Sequence, residues 1–171
     1  MNKRVQAALA AIGGFPANWV PEQAATDLDV VSVGGGQSGL SIAFGLMRMG
    51  ISRIRIIEAE ARGEQGVWHE RAYMPTLRTP LVSPGPELGV PELSLALWYD
   101  SVHGEGSCSQ LQRCSTADWA AYLDWFRDVL GLPIEYDTRL FGITPEKGHL
   151  KLSLDTQGGV QEVAVRKVIL A

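Results

Sequence analysis

Three glycines and one acid carry the most legible chemistry in this sequence. Gly34, Gly36 and Gly39 fill the glycine places of a G-x-G-x-x-G pattern, and Glu58 stands nineteen residues beyond the last of them (58 − 39). At the first place a glycine allows a tight turn out of a strand. At the second it lets backbone approach a diphosphate, and at the third it lets a helix pack close on a sheet. The amides that open the helix, at Gln37 and Ser38, would then face phosphate oxygens with the positive end of the helix dipole behind them. An acid at the end of the following strand can accept both hydroxyls of an adenosine ribose and disfavours a 2′-phosphate. These residues suit a dinucleotide, and NADP least of the dinucleotides.

The flanking residues supply elements that would hold this constellation. Val30, Val31 and Val33 have the character of a buried parallel strand. Leu40, Ala43, Phe44 and Met47 recur at i, i+3, i+4 and i+7, which predicts a helix, and Gly50 stops it. Ile54, Ile56 and Ile57 form a second strand leading into Glu58. A glycine turn that packs helix on sheet without any ligand is the alternative reading of the same residues.

Composition narrows the class. The chain has 171 residues, enough for about one domain, with 46% apolar and 20% charged residues, as a globular protein has. Fifteen basic against 19 acidic residues, with no basic stripe, give no expectation of nucleic acid. No apolar run approaches the roughly 20 residues that cross a bilayer, so no membrane partner is expected. Cys108 and Cys114 fit neither a disulfide framework nor a metal site, and a reduced, cytoplasmic setting is the default. Residues 1 to 28 read as a short helix laid on the domain through Val5, Ala8, Leu9 and Ile12, rather than a secretion signal, followed by an extended lead-in holding Phe15, Pro16, Trp19 and Pro21.

After Glu58 and Ala59 come Gly66, Val67 and Trp68, then Tyr73, Leu77, Arg78 and Thr79. This run resembles the flavin-dependent monooxygenases that include flavin-containing, Baeyer-Villiger and N-hydroxylating enzymes. In those proteins the acid is followed by G-G-x-W and by a segment like Y-x-x-L-x-T that passes over the flavin. Here Gln65 replaces the first glycine of the pair, the spacing from Glu58 is one residue longer, and Pro80 stands where flavin-containing monooxygenases usually carry an Asn. The resemblance implies FAD, held by Gly34, Gly36, Gln37, Ser38, Gly39, Glu58, Ala59, Gly66, Trp68 and Arg78, by backbone near Leu140, and by Ala171. It names no catalytic side chain. Taken alone, Trp68 would be a loop or core anchor and Arg78 a surface cation. His69 has no identifiable partner in the sequence and receives no role.

The rest of the chain reads in order. Residues 80 to 91 hold four prolines and two glycines, a stiff loop that suits a wall or lid of a flavin pocket. Leu93 to Val102 is read as a helix. Ser115 and Asp118 have capping-box spacing, with Thr116 an alternative cap, ahead of a stripe of Trp119, Tyr122, Leu123, Phe126, Val129 and Leu130 closed by Gly131. A meander follows: Ile134 to Thr144 as one strand, His149 to Asp155 as a second with Leu150, Leu152 and Leu154 inward, and Val160 to Val165 as a third. Lys167 to Ala171 then reads as a separate buried strand beside the first. In the family resembled it runs into A-T-G, of which only Ala171 is present.

The expected fold class is therefore α/β: a Rossmann-like FAD-binding domain of the two-dinucleotide-domain flavoprotein type, residues 29 to 171, read as truncated. It would contain a loop and helical insertion (68 to 131) and a three-stranded antiparallel meander (134 to 165), with the NAD(P)-binding domain absent. The function implied by the resemblance is the FAD-binding portion of a flavin oxidoreductase that takes NAD(P)H as co-substrate through a region outside this chain. That enzyme would be a monooxygenase delivering one oxygen atom to a small organic substrate, with this chain alone inactive. The alternatives are another FAD-dependent reductase, or a cofactor-free remnant serving as a binding module. A redox-active Cys-x-x-Cys would favour the reductase, and none is present. Expected partners are the small-molecule substrate and the remainder of the polypeptide, and a homodimer is compatible with the sequence.

Overall fold

The computed structural model describes residues 1–69 and 72–171. Its elements run α1 (Asn2–Ala11), β1 (Leu28–Val33), α2 (Gln37–Arg48), β2 (Ile54–Ile57), α3 (Leu95–His103), α4 (Thr116–Leu130), β3 (Ile134–Glu135), β4 (Arg139–Glu146), β5 (His149–Thr156) and β6 (Gly159–Leu170), with short 3-10 turns at Pro91–Leu93 and Cys108–Gln110. They form two compact units: Phe15–Gly66 with Leu132–Ala171, and Met1–Gly14 with Val67–Gly131.

The first unit is a six-stranded mixed sheet in the order β3-β2-β1-β6-β5-β4. The pairs β3/β2, β2/β1 and β1/β6 are parallel, and β6/β5 and β5/β4 are antiparallel. The α2 helix is the crossover between β1 and β2; of the stripe that the sequence predicts it buries Leu40, Ala43 and Phe44 and leaves Met47 half-buried. It ends because Gly50 takes φ +72, so that Ile51 N–H reaches the Leu46 carbonyl (2.9 Å) and Gly50 N–H the Met47 carbonyl (3.0 Å). This double bond pattern satisfies the last helical carbonyls at a residue that bears no Cβ. Just outside that end, the Trp19 indole donates to the Met49 carbonyl, which docks the lead-in. Val31, Ile57, Leu152, Leu154, Val163 and Val165 make one core cluster from β1, β2, β5 and β6.

The structure corrects three expectations for residues 134 to 171. The strand predicted from Ile134 to Thr144 is two strands, because its halves serve different neighbours: Ile134 and Glu135 pair in parallel with Ile56 and Ile57, whereas β4 pairs antiparallel with β5. The chain turns between them with Asp137 at φ +51, a left-handed conformation that Asp tolerates better than most residues. The third meander strand and the final parallel strand are one strand, β6, whose Val165 is in register with both Leu150 and Leu28. Finally, the apolar end of β6 lies beside β1 but is not buried: Val168 and Ile169 are half-buried and Leu170 is 71% exposed.

The second unit is helical. Ser115, rather than Thr116, caps α4: its hydroxyl accepts from the Asp118 amide (3.0 Å) and donates to the Asp118 carboxylate (2.6 Å), so the cap forms where its spacing implies, with the carboxylate on the hydroxyl. The α4 stripe is buried from Trp119 to Leu130, and the Tyr122 hydroxyl donates to the Leu93 carbonyl at 2.8 Å. In α1, Val5 and Leu9 are buried, but the helix ends at Ala11, and Ile12, expected to continue the same stripe, is exposed. No helix among the described residues is long and apolar enough to cross a membrane.

Candidate functional site

The parallel strands β1 and β2 bring Gly34 and Glu58 to the same end of the sheet, just past the C-terminal ends of both strands. Gly34 N–H donates to the Ile57 carbonyl at 2.8 Å, which sets the glycine turn beside the end of β2. Each motif glycine is then required for a different reason. Gly34 adopts φ +108, and a Cβ there would come within 2.8 Å of the Ala171 carbonyl oxygen. At Gly39 a Cβ would collide with the Gly34 carbonyl oxygen, so this residue is what lets α2 begin directly under the turn. Gly36 differs: its backbone is extended and its Cβ would meet nothing nearer than Gly66 Cα at 3.8 Å. No internal clash demands glycine at 36, so a requirement there would come from outside the chain.

Gly36 is the N-cap of α2, and no side chain caps this helix. The first helical bond runs from Leu40 N–H to the Gly36 carbonyl (3.0 Å), and the amides before it have no intrahelical acceptors, as at any helix start. With Gln37 and Ser38 exposed, these donors and the helix dipole suit an anion. Glu58 is 7% exposed and doubly held: Oε2 accepts from Gly35 N–H at 2.7 Å and Oε1 from Glu60 N–H at 3.1 Å. A carboxylate offers about four lone-pair sites, so each oxygen keeps capacity for a further donor such as a sugar hydroxyl.

The chain after Glu58 closes the opposite side. Ala59 is half-buried; Gly66, at φ +72, lies so near that a Cβ on it would be 3.3 Å from Gly36 Cα. Ala171 N–H donates to the Val33 carbonyl at 2.9 Å, bringing the last residue to the turn. Gly34, Gly36, Gly39, Glu58, Gly66 and Ala171 therefore converge. Leu140 lies one residue into β4, partly buried, with its side chain packed on the core cluster. Trp68 and Arg78 belong to the helical unit. There Trp68 is half-buried and Arg78 is exposed, its carbonyl accepting from Arg113 at 3.2 Å.

Sequence reasoning missed Gly35, Asp137 and Thr138. Gly35 fixes the acid: a Cβ on it would lie 3.1 Å from Glu58 Oε2, and the third consecutive glycine was the available signal. Thr138 N–H donates to the Glu58 carbonyl at 2.8 Å and Asp137 N–H to that of Glu60 at 3.3 Å, so the β3–β4 turn braces the acid from behind. His69, unpartnered in the sequence, has Nε2 3.5 Å from Asp124 Oδ2 within the helical unit. Among the described residues no group of three or more His, Cys, Asp or Glu could hold a metal ion.

A parallel βαβ unit opened by three spaced glycines, closed by a buried acid and joined to an antiparallel meander, defines a dinucleotide-binding domain of the flavoprotein type. A family model described as FAD-NAD(P)-binding matches residues 31–171, and the chain belongs to that family. It is 38% identical over 143 residues to a FAD-dependent urate hydroxylase of Xanthomonas campestris pv. campestris, covering 84% of this chain and 30% of that protein. Among solved structures, a flavin-containing monooxygenase from Stenotrophomonas maltophilia superposes with a TM-score of 0.61 at 27% identity, over 84% of this chain and 38% of its own. An ornithine N-hydroxylase from Kutzneria sp. 744 superposes at 0.70 with 18% identity, over 84% and 36%, a likeness of fold. The chain thus spans about a third of the length of the proteins it resembles, and its α/β fold with three antiparallel strands matches the FAD-binding part of flavin monooxygenases.

Proposed function

We propose that this chain is the FAD-binding part of an NAD(P)H-dependent flavin monooxygenase that delivers one oxygen atom to a small organic substrate. One observation carries the reading: glycine at 36 is unexplained by the fold and explained by a diphosphate lying against the uncapped start of α2, with Glu58 held beside it. The residues fit FAD. The amides from Gly36 to Gly39 would hold the diphosphate, and Glu58 would accept the ribose hydroxyls. Gly66 would line the far side, and Trp68 and Arg78 are assigned by resemblance alone. Bound FAD would supply the redox chemistry, and these residues would bind and orient it. The monooxygenase class rests on the names of the relatives, and NAD(P)H would bind through a region outside this chain.

A reductase working through a cysteine pair is disfavoured. Burial first, then the Asp118 carboxylate and Cys108, push the Cys114 thiol up to about 11, and a thiol so protonated is a poor nucleophile. The test is to purify the 171-residue chain and titrate it with FAD and with FMN, which lacks the adenosine diphosphate. Saturable FAD binding with an oxidised-flavin absorption band, and FMN binding much weaker, are expected. A colourless protein that ignores FAD would support the cofactor-free scaffold instead.

A further inference from the structure

The residue where this chain departs from the G-G-x-W pattern is buried, and its side chain is engaged. Gln65 is 6% exposed, and its Oε1 accepts from Gly63 N–H at 2.6 Å. Gly63 sits at φ +95, next to a turn closed by Glu64 N–H on the Ala61 carbonyl at 3.1 Å. At the other end of the same loop, Glu58 Oε1 accepts from Glu60 N–H. Two buried side-chain acceptors thus clamp the loop from both ends. The residue immediately after the second clamp is Gly66, the one that packs against Gly36 at the glycine turn.

We infer that Gln65 is a positioning residue for the cofactor: by tying the Gly63 amide it holds Gly66 against Gly36, and so fixes the backbone wall on which the diphosphate would rest. A second glycine at 65 would leave that amide without this acceptor and Gly66 free to shift against Gly36. A glutamine replaces such conformational freedom with a bond whose acceptor is already desolvated, and an engaged buried acceptor is costly to remove. This inference rests on the FAD-binding reading above.

The test compares FAD dissociation constants for the full chain and an acceptor-deficient variant, measured by quenching of FAD fluorescence well below each thermal midpoint. Q65M keeps side-chain length and removes the acceptor, and it should weaken FAD by about tenfold or more. Thermal midpoints are read alongside: a merely structural role would lower the midpoint and leave the FAD affinity of the folded variant at the parent value, whereas a positioning role lowers the affinity of the folded protein. Should Q65M fail to fold, Q65N, whose shorter arm misses Gly63, carries the test with the same loss expected. Parent-like affinity in the folded acceptor-deficient variant overturns the inference. Failure of the FAD-binding reading is distinguishable, because it shows in the parent chain alone.

Discussion

Replacing Gly36 by alanine separates the demands of a ligand from those of the fold. The backbone there, φ −74 and ψ −174, is open to any residue, and the new methyl would find Gly66 Cα at 3.8 Å, an ordinary contact. Alanine is a poorer N-cap than glycine, but the substitution also lowers the entropy of the unfolded chain, so the two effects offset to within about 1 kcal/mol. For a chain of this size that moves the thermal midpoint by less than about 4 °C. Binding should respond more strongly, because a methyl at the point of closest approach displaces the diphosphate from at least one amide. A hydrogen bond to a charged group contributes about 1.5–3 kcal/mol, so FAD affinity should fall roughly 10- to 150-fold. Gly39→Ala is the contrasting case. Its methyl would strike the Gly34 carbonyl, α2 must shift, and overpacking of about 1–3 kcal/mol should lower the midpoint by about 2–12 °C. Calorimetry of the apo-protein and an FAD titration read both quantities. The reasoning is refuted if Gly36→Ala binds FAD like the parent, or if it loses as much stability as Gly39→Ala.

Three further outcomes are expected. Glu58→Gln offers one carbonyl oxygen where two carboxylate oxygens now serve Gly35 and Glu60, so one buried amide loses its acceptor; urea denaturation should show a loss of about 1–3 kcal/mol, and an unchanged midpoint would remove Glu58 from this role. Asp137→Val places a β-branched residue at φ +51 and should cost roughly 1–2 kcal/mol, whereas Asp137→Gly should be tolerated; equal stabilities for the two would show that the turn is not strained. Burial, followed by the Asp118 carboxylate, pushes the Cys114 thiol up to about 11 from its ordinary 9.0, so the unfolded state releases its proton first as pH rises. Its contribution is complete below about pH 9 and lost towards about pH 11, and Cys114→Ala should show a shallower fall in stability over that window; parallel curves would contradict the shift.

What could be read from the sequence was what a short-range period or a steric rule controls. The α2 stripe, the α4 stripe with its Ser115 cap, and the alternation of Leu150, Leu152 and Leu154 each follow from local spacing, and each forms. Glu58 and the glycine turn meet because a βαβ crossover brings the C-terminal ends of adjacent parallel strands together. The break at Asp137 could not be read, since the residues on either side are equally strand-like and only their choice of partner differs. Nor could the unity of β6: alternation runs through Arg166 without a signal that the strand has acquired a parallel neighbour as well as an antiparallel one. The exposed Leu170 shows the converse limit, for apolar type records what a residue tolerates and not what covers it. Gln65 looked like a defect in a motif, and its bond to Gly63 is visible only in three dimensions.

The most direct measurement is an experimental structure of the chain with FAD bound. It should place diphosphate oxygens within hydrogen-bond reach of the amides at the start of α2, and ribose hydroxyls on Glu58. A diphosphate seated elsewhere, with Glu58 touching only Gly35 and Glu60, would contradict the account.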